Sequence, residues 1–211
     1  MNNIEKHIQT LEQHKLSTIV RTNDFDHAYK IIKASHDAGI KFIEITLTTP
    51  NALELIKKCR EDFPDLLIGA GTVLTIEDAK KSLEYGAQYF VSPIAAVELV
   101  KFSNEQNILC IAGAITPTEM YSLWSAGAQI IKFFPANSMP KDYIKLVHNP
   151  HPEFKFIATG GIDSTNILDY LEAGCVAAGV TADLGGADIS KSYEEILEIA
   201  KKYIKIVANA K

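Results

Sequence analysis

The stretch AGAQIIKFF, residues 126–134, carries the end of one helix into a short apolar strand. The same joint recurs as AGIKFIEI at 38, YGAQYFV at 85 and AGCVAAG at 173. In each, a glycine stands just past a segment of helical periodicity, where the left-handed cap conformation suits it. Each is followed by a run rich in Ile, Val or Phe and of strand length. Working outward from these joints, the apolar runs are LSTIVR (16–21), IKFIEIT (40–46), LLIGAG (66–71), QYFVS (88–92), ILCIA (108–112), QIIKFF (129–134), FKFIAT (154–159) and CVAAGV (175–180).

Between the runs lie helical segments. After the first, Ala28, Ile31, Ile32 and Ser35 fall at helical spacing, with Lys30 and Lys33 on the other face. Asp24, Thr75, Thr116, Asp163 and Ser164 are of the residue types that start helices. Strands alternating with helices imply parallel strands with the helices outside. Eight such units close a (β/α)₈ TIM barrel. Residues 2–14 read as an extra N-terminal helix, and residues 1–211 as a single domain. A doubly wound open sheet is the competing α/β architecture. The lack of a GxGxxG after the first strand weighs against it.

Barrel chemistry sits at the C-terminal ends of the strands. Two charged residues interrupt apolar strands there: Glu44 in FIEITLT and Lys132 in IIKFFP. Alternation puts Phe42, Glu44 and Thr46 on one face and Ile43 and Ile45 on the other. The apolar pair faces the helices, so Glu44 points into the barrel. By the same logic Ile131 and Phe133 face outward, and Lys132 points inward with Ile130. Burying lone charges is costly, so such groups pair or neutralise. A neutral amine is what attack on a ketone requires. The alternative is an ion pair that only fills the barrel, but buried pairs are poor devices for stability.

Thr72 follows GAG at the end of the third strand. Inward alternation from Ile68 and Ala70 reaches it, which makes it a candidate hydrogen-bond donor to a carboxylate. In GTVLTIEDA either Thr72 or Thr75 can cap the next helix. Gly160 and Gly161 follow the seventh strand, where barrels commonly hold phosphate. Glycine lets backbone N–H groups approach an anion, and a following helix N-terminus would add its dipole.

Lys and Arg total 21 against 26 Asp and Glu, a net charge of −5 with pI near 5.7. That balance argues against a nucleic-acid or anionic-membrane partner. A small anionic substrate needs only local donors. The first residues lack the apolar core of a signal peptide, and no run approaches a membrane span, so a cytoplasmic protein is expected. Cys59, Cys110 and Cys175 are far apart and form no CxxC, so they read as small buried apolar residues. His7, His14, His27, His36, His148 and His151 lie away from the strand ends and are read as surface residues. No histidine pair has ligand spacing and no acidic cluster stands out, so neither metal nor organic cofactor is expected.

EITLTTP, GAGTV, VSP, IIKFFPA and TGGI, in this order and spacing, resemble the 2-keto-3-deoxy-6-phosphogluconate (KDPG) aldolase family. That family also covers the 4-hydroxy-2-oxoglutarate (KHG) and 6-phosphogalactonate aldolases. The resemblance runs from about Leu16 to Leu184. It implies a class I, Schiff-base aldolase on a (β/α)₈ barrel, a homotrimer that acts on a keto-acid sugar phosphate. The family's imine-forming lysine falls on Lys132 and its proton-shuttling glutamate on Glu44. Its pyruvate-contacting threonine falls on Thr72, its phosphate-site glycines on Gly160 and Gly161, and its aromatic-proline pair on Phe134 and Pro135.

The sequence departs from the family at two places. Many members carry an arginine four residues after the glutamate to hold a substrate anion, and here that position is Thr48. Arg21, ending the first strand, is similar to an arginine that other members have there. The family's serine after the eighth strand falls in Gly179-Val180-Thr181-Ala182, on Thr181 or Ala182. The implied reaction yields pyruvate and glyceraldehyde 3-phosphate, or pyruvate and glyoxylate from 4-hydroxy-2-oxoglutarate. The competing readings are a phosphate-binding barrel isomerase or epimerase working without an imine, and a non-catalytic sugar-phosphate sensor.

Overall fold

Each apolar run supplies one strand. In the computed structural model, which describes residues 2–140 and 142–210, these are β1 (Leu16–Val20), β2 (Phe42–Thr46), β3 (Leu67–Gly71), β4 (Tyr89–Ser92), β5 (Leu109–Ala114), β6 (Ile131–Phe133), β7 (Phe156–Thr159) and β8 (Cys175–Val180). All pair in parallel and in sequence order. Leu16 aligns with Ala178 and Thr18 with Val180, so β1 and β8 close the barrel and the open-sheet alternative falls.

The helices are α1 (Asn3–His14), α2 (Phe25–Ala38), α3 (Ala52–Asp62), α4 (Ile76–Glu84), α5 (Val97–Glu105), α6 (Pro117–Ser125), α7 (Tyr143–His148), α8 (Ile167–Glu172) and α9 (Tyr193–Ala208). Asp24, Thr75 and Thr116 cap α2, α4 and α6, each side chain accepting a backbone N–H three residues on. The glycine joints adopt positive φ: 100° at Gly39, 94° at Gly86, 95° at Gly127 and 111° at Gly174. Asp163 and Ser164 do not cap a helix. Asp163 instead closes a turn by accepting the N–H groups of Thr165 and Asn166, and α8 starts only at Ile167.

Alternation divides the core into two layers. Outward-facing Ile43, Ile45, Ile131 and Phe133 join Ala28, Ile31 and Ile32 of α2 in the layer between sheet and helices. Inward-facing Phe42, Tyr89, Leu109, Ile130 and Ile157 form a second, smaller cluster with Ile4 and Leu11 of α1. These inward residues stand at or near the beginnings of their strands, so α1 plugs the barrel end away from the strand C-termini. Cys59, Cys110 and Cys175 are buried apolar residues, as expected. His27 departs from the surface reading and is 3% exposed. Among the described residues no helix is long and apolar enough to cross a membrane.

Candidate active site

The mouth of the barrel holds a cleft of about 240 Å³. It is lined mainly from β1, β6, β7 and β8 and the loops that follow them, with Arg21, Lys132, Phe134, Gly160, Gly161 and Thr181 among its walls. Lys132 points inward, as alternation requires, because its neighbours Ile131 and Phe133 are claimed by the helix layer. Glu44 reaches toward it from β2, and Lys132 Nζ lies 3.7 Å from Glu44 Oε1. Both residues are 3% exposed.

At 3.7 Å the two groups attract but are beyond a normal direct hydrogen bond. Glu44 Oε1 is buried without a hydrogen-bond partner. An acceptor left open beside a buried amine is costly to maintain unless it serves something. Lys132 Nζ also lies 5.0 Å from the centroid of the Phe134 ring, which walls the amine on one side.

The third strand makes room for Glu44. A Cβ on Gly71 would sit 2.3 Å from Glu44 Oε1, and one on Gly69 would sit 2.3 Å from the Tyr89 ring. The GAG motif therefore has a steric reason: its two glycines face into the barrel while Ala70 joins the outer layer. This corrects the expected path to Thr72, since Ile68 and Ala70 face the helices. Thr72 instead leaves the strand with a left-handed φ of 59°. Thr75 takes the capping role, so the Thr72 hydroxyl is free of it, and it accepts a hydrogen bond from Arg21 Nη2 at 3.1 Å. The buried Tyr89 phenol is held well above its ordinary pKa, first by burial and then by the Glu44 carboxylate. It stays neutral and acts as filling beneath the site.

Arg21 directly follows β1 and is one wall of the cleft. Gly160 and Gly161 take φ of 91° and 71°, in the region that favours glycine. A Cβ on Gly160 would press on Phe134 and Pro135 at 3.2 Å, and one on Gly161 on Asn137 at 2.4 Å. The loops after β6 and β7 are thus fitted to each other. The helix dipole expected behind these glycines is displaced, because the Asp163 turn separates them from α8.

Thr48, like Glu44 and Thr72, is not among the residues that line this cleft. Its hydroxyl meets Thr46 Oγ1 at 3.0 Å, within a threonine cluster that hydrogen-bonds the Val20 carbonyl. Pro135 also stays behind the wall, packed on Gly160. Ala182, the alternative to Thr181 after the eighth strand, also lines the cleft, whereas Ile19, Thr159, Ile162 and Gly179 were not singled out by the sequence as lining residues. Thr159 is the most telling of them: it ends β7 on the inward face, and its buried Oγ1 has no hydrogen-bond partner. Inward alternation from Ile157 would have found it.

Among the described residues no group of three or more His, Cys, Asp or Glu is placed to hold a metal ion. The sequence profile of the family described as KDPG and KHG aldolase matches residues 7–200. The chain belongs to that family. It is therefore an aldolase, a carbon–carbon lyase. One relative, the 2-dehydro-3-deoxy-phosphogluconate aldolase of Pseudoalteromonas atlantica, is 33% identical over 184 residues, covering 86% of each chain. The 2-dehydro-3-deoxy-6-phosphogalactonate aldolase of Escherichia coli is 30% identical over 196 residues, 91% of this chain and 96% of its own. The solved structure described as native KDPGal superposes with a TM-score of 0.86 at 30% identity, over 92% of this chain and 95% of that one. The aldolase family therefore accounts for a barrel whose mouth joins a buried amine, a carboxylate and a cleft lined by an arginine and paired glycines.

Proposed function

We propose that this aldolase cleaves a 2-keto-3-deoxy-6-phospho sugar acid through an imine on Lys132, with Glu44 moving the protons. The observation that carries the reading is the 3.7 Å approach of two buried, oppositely charged groups, with the carboxylate oxygen otherwise unpartnered. The Lys132 amine adds to the C2 ketone to give a carbinolamine, which loses water to give a protonated imine. Glu44 accepts the proton of the C4 hydroxyl. The C3–C4 bond then breaks, its electron pair moving into the imine to form an enamine as the aldehyde leaves. Protonation of the enamine at C3 and hydrolysis return pyruvate and free Lys132. The positive imine nitrogen is the electron sink, so the chain's own residues supply the chemistry.

The substrate's anions are assigned by donor type. Gly160, Gly161 and Thr181 offer N–H and hydroxyl donors at one end of the cleft, the end suited to a phosphate. Arg21 and Thr72, joined by their own hydrogen bond, serve the carboxylate and replace the arginine missing at Thr48. Phe134 shields the amine. The exposed apolar side chains of Tyr121, Trp124 and Leu146 support self-association, consistent with a homotrimer. The cytoplasm is the compartment proposed for it.

The test is pyruvate release, followed with a coupled lactate dehydrogenase. Phosphogluconate-, phosphogalactonate- and hydroxyoxoglutarate-derived keto acids should be compared on wild type and Lys132→Arg. Pyruvate from at least one phosphorylated keto acid, abolished in Lys132→Arg, supports the reading. Equal turnover in the variant contradicts it.

A further inference from the structure

The loop after β8 brings Thr181 and Ala182 to the cleft, and a buried histidine from the opposite end of the sequence holds that loop. His27 stands in the first turn of α2, where its backbone N–H donates to Asp24 Oδ1 at 2.6 Å. Its ring is turned away from solvent, and Nε2 lies 2.7 Å from the Gly185 carbonyl oxygen in a buried bond. A carbonyl only accepts, so Nε2 carries the proton and donates. The other ring nitrogen, Nδ1, is buried with no partner. Among the described residues the imidazole ring's one polar contact is therefore to the β8 loop.

The loop is built to pass that contact on. Gly185 has φ of 85° and its N–H donates back to the Ala182 carbonyl at 3.0 Å. The N–H of Gly186 donates to the Thr181 carbonyl at 3.2 Å. A Cβ on Gly186 would meet Thr181 Cγ2 at 2.7 Å and the Arg21 carbonyl at 3.2 Å. Gly186 is thus wedged between two cleft residues, one peptide from the carbonyl that His27 holds. One helical turn further along α2, Lys30 Nζ donates to the Lys191 carbonyl at 3.2 Å and ties down the far end of the same loop.

We propose that His27 is a positioning residue for the phosphate end of the substrate: through Gly185 and Gly186 it fixes Thr181 and so sets discrimination for the phosphorylated keto acid. The proposal rests on the reading that the β8 loop meets the substrate's phosphate. His27 hydrogen-bonds to Asp24 and Gly185, not to Lys132 or Glu44, so its effect is on the loop and not on the reacting groups.

The experiment compares His27→Leu with His27→Gln, whose side-chain amide keeps an N–H near the position of Nε2. Two reactions are measured on each: cleavage of the phosphorylated keto acid, and exchange of the pyruvate methyl hydrogens with deuterated water. The second reaction requires the Lys132 enamine but no phosphate. In His27→Leu, KM for the phosphorylated substrate should rise about tenfold or more, the usual effect of losing a hydrogen bond that orients a charged group. Pyruvate exchange should stay within about twofold of wild type, because uniform binding of the remote anion does not enter it. His27→Gln should recover most of the KM. If His27→Leu does not fold, His27→Asn, whose amide is too short to reach Gly185, takes its place. An unchanged KM, or exchange falling in parallel with cleavage, overturns the proposal. Absence of pyruvate exchange in wild type would instead overturn the imine reading itself, and is told apart by that control.

Discussion

Lys132 Nζ and Glu44 Oε1 come within 3.7 Å of each other from strands on opposite sides of the closed barrel. β2 and β6 are four strands apart in either direction, so each side chain crosses the barrel interior to reach the other. The pair depends on the space that Gly71 of the adjacent β3 leaves for Glu44 and on the wall that Phe134 makes beside Lys132.

Glu44→Gln keeps the shape and hydrogen-bonding reach of the side chain but cannot shuttle a proton. Its kcat should fall about 10²- to 10⁴-fold, the usual worth of positioned proton transfer. Steady-state kinetics with the phosphorylated keto acid measure this. A variant that retains most of its kcat makes the pair purely structural.

Gly71→Ala should disable the enzyme without a change at any reacting group. The added methyl would lie 2.3 Å from Glu44 Oε1, so the carboxylate must move. Gly71 is not among the glycines with positive φ, so backbone strain does not oppose the change. A displacement of about 1 Å is worth up to roughly 10² in rate. The expected result is a kcat loss of that order with a native circular dichroism spectrum. Wild-type kcat would mean that Glu44 has freedom to relocate.

Much of this site is legible in the sequence, for a physical reason. A charge inside an apolar strand has to be explained by something, and that alone singles out Glu44 and Lys132. Their inward direction follows from which neighbours the helices bury. Thr72 shows where alternation stops working. A left-handed residue at the strand end reverses the expected face, and the inward positions before it are glycines, which present no side chain to read. Thr159 stays inconspicuous because threonine is ordinary in a strand. The contacts between Arg21 and Thr72, and between His27 and Gly185, join residues far apart in the chain and appear only once the barrel closes.

The Arg21–Thr72 hydrogen bond can be tested by a double-mutant cycle. Arg21→Ala should mainly raise KM, by about ten- to a hundredfold for loss of a charged hydrogen bond of roughly 1.5–3 kcal/mol. Thr72→Ala should raise it less, and the two effects should not add, because the residues share one contact. An unchanged KM with a lowered Tm would make Arg21 a structural residue. Additive effects would separate the two side chains functionally.

Stability should decline in alkali. Burial pushes the thiols of Cys59 and Cys110 up to about 12, and raises Cys175 as well. An unfolded thiol titrates near about 8.5. A folded-state value raised above the unfolded one adds stability that is fully present below the unfolded value and is lost as pH climbs toward the folded one. Unfolding free energy, measured by urea titration, should therefore fall between about pH 9 and pH 12, by about 1.4 kcal/mol per pH unit for each thiol. Cys110→Ala should flatten part of that slope. A level profile across this range would show that the thiols titrate freely in the folded protein.

The most direct measurement is reductive trapping. The protein is incubated with pyruvate and borohydride, digested and analysed by mass spectrometry. An imine on Lys132 predicts a stable 1-carboxyethyl group on the peptide that contains Lys132, and none in Lys132→Arg, whose guanidinium stays protonated. Unmodified protein, or a label on another lysine, contradicts it.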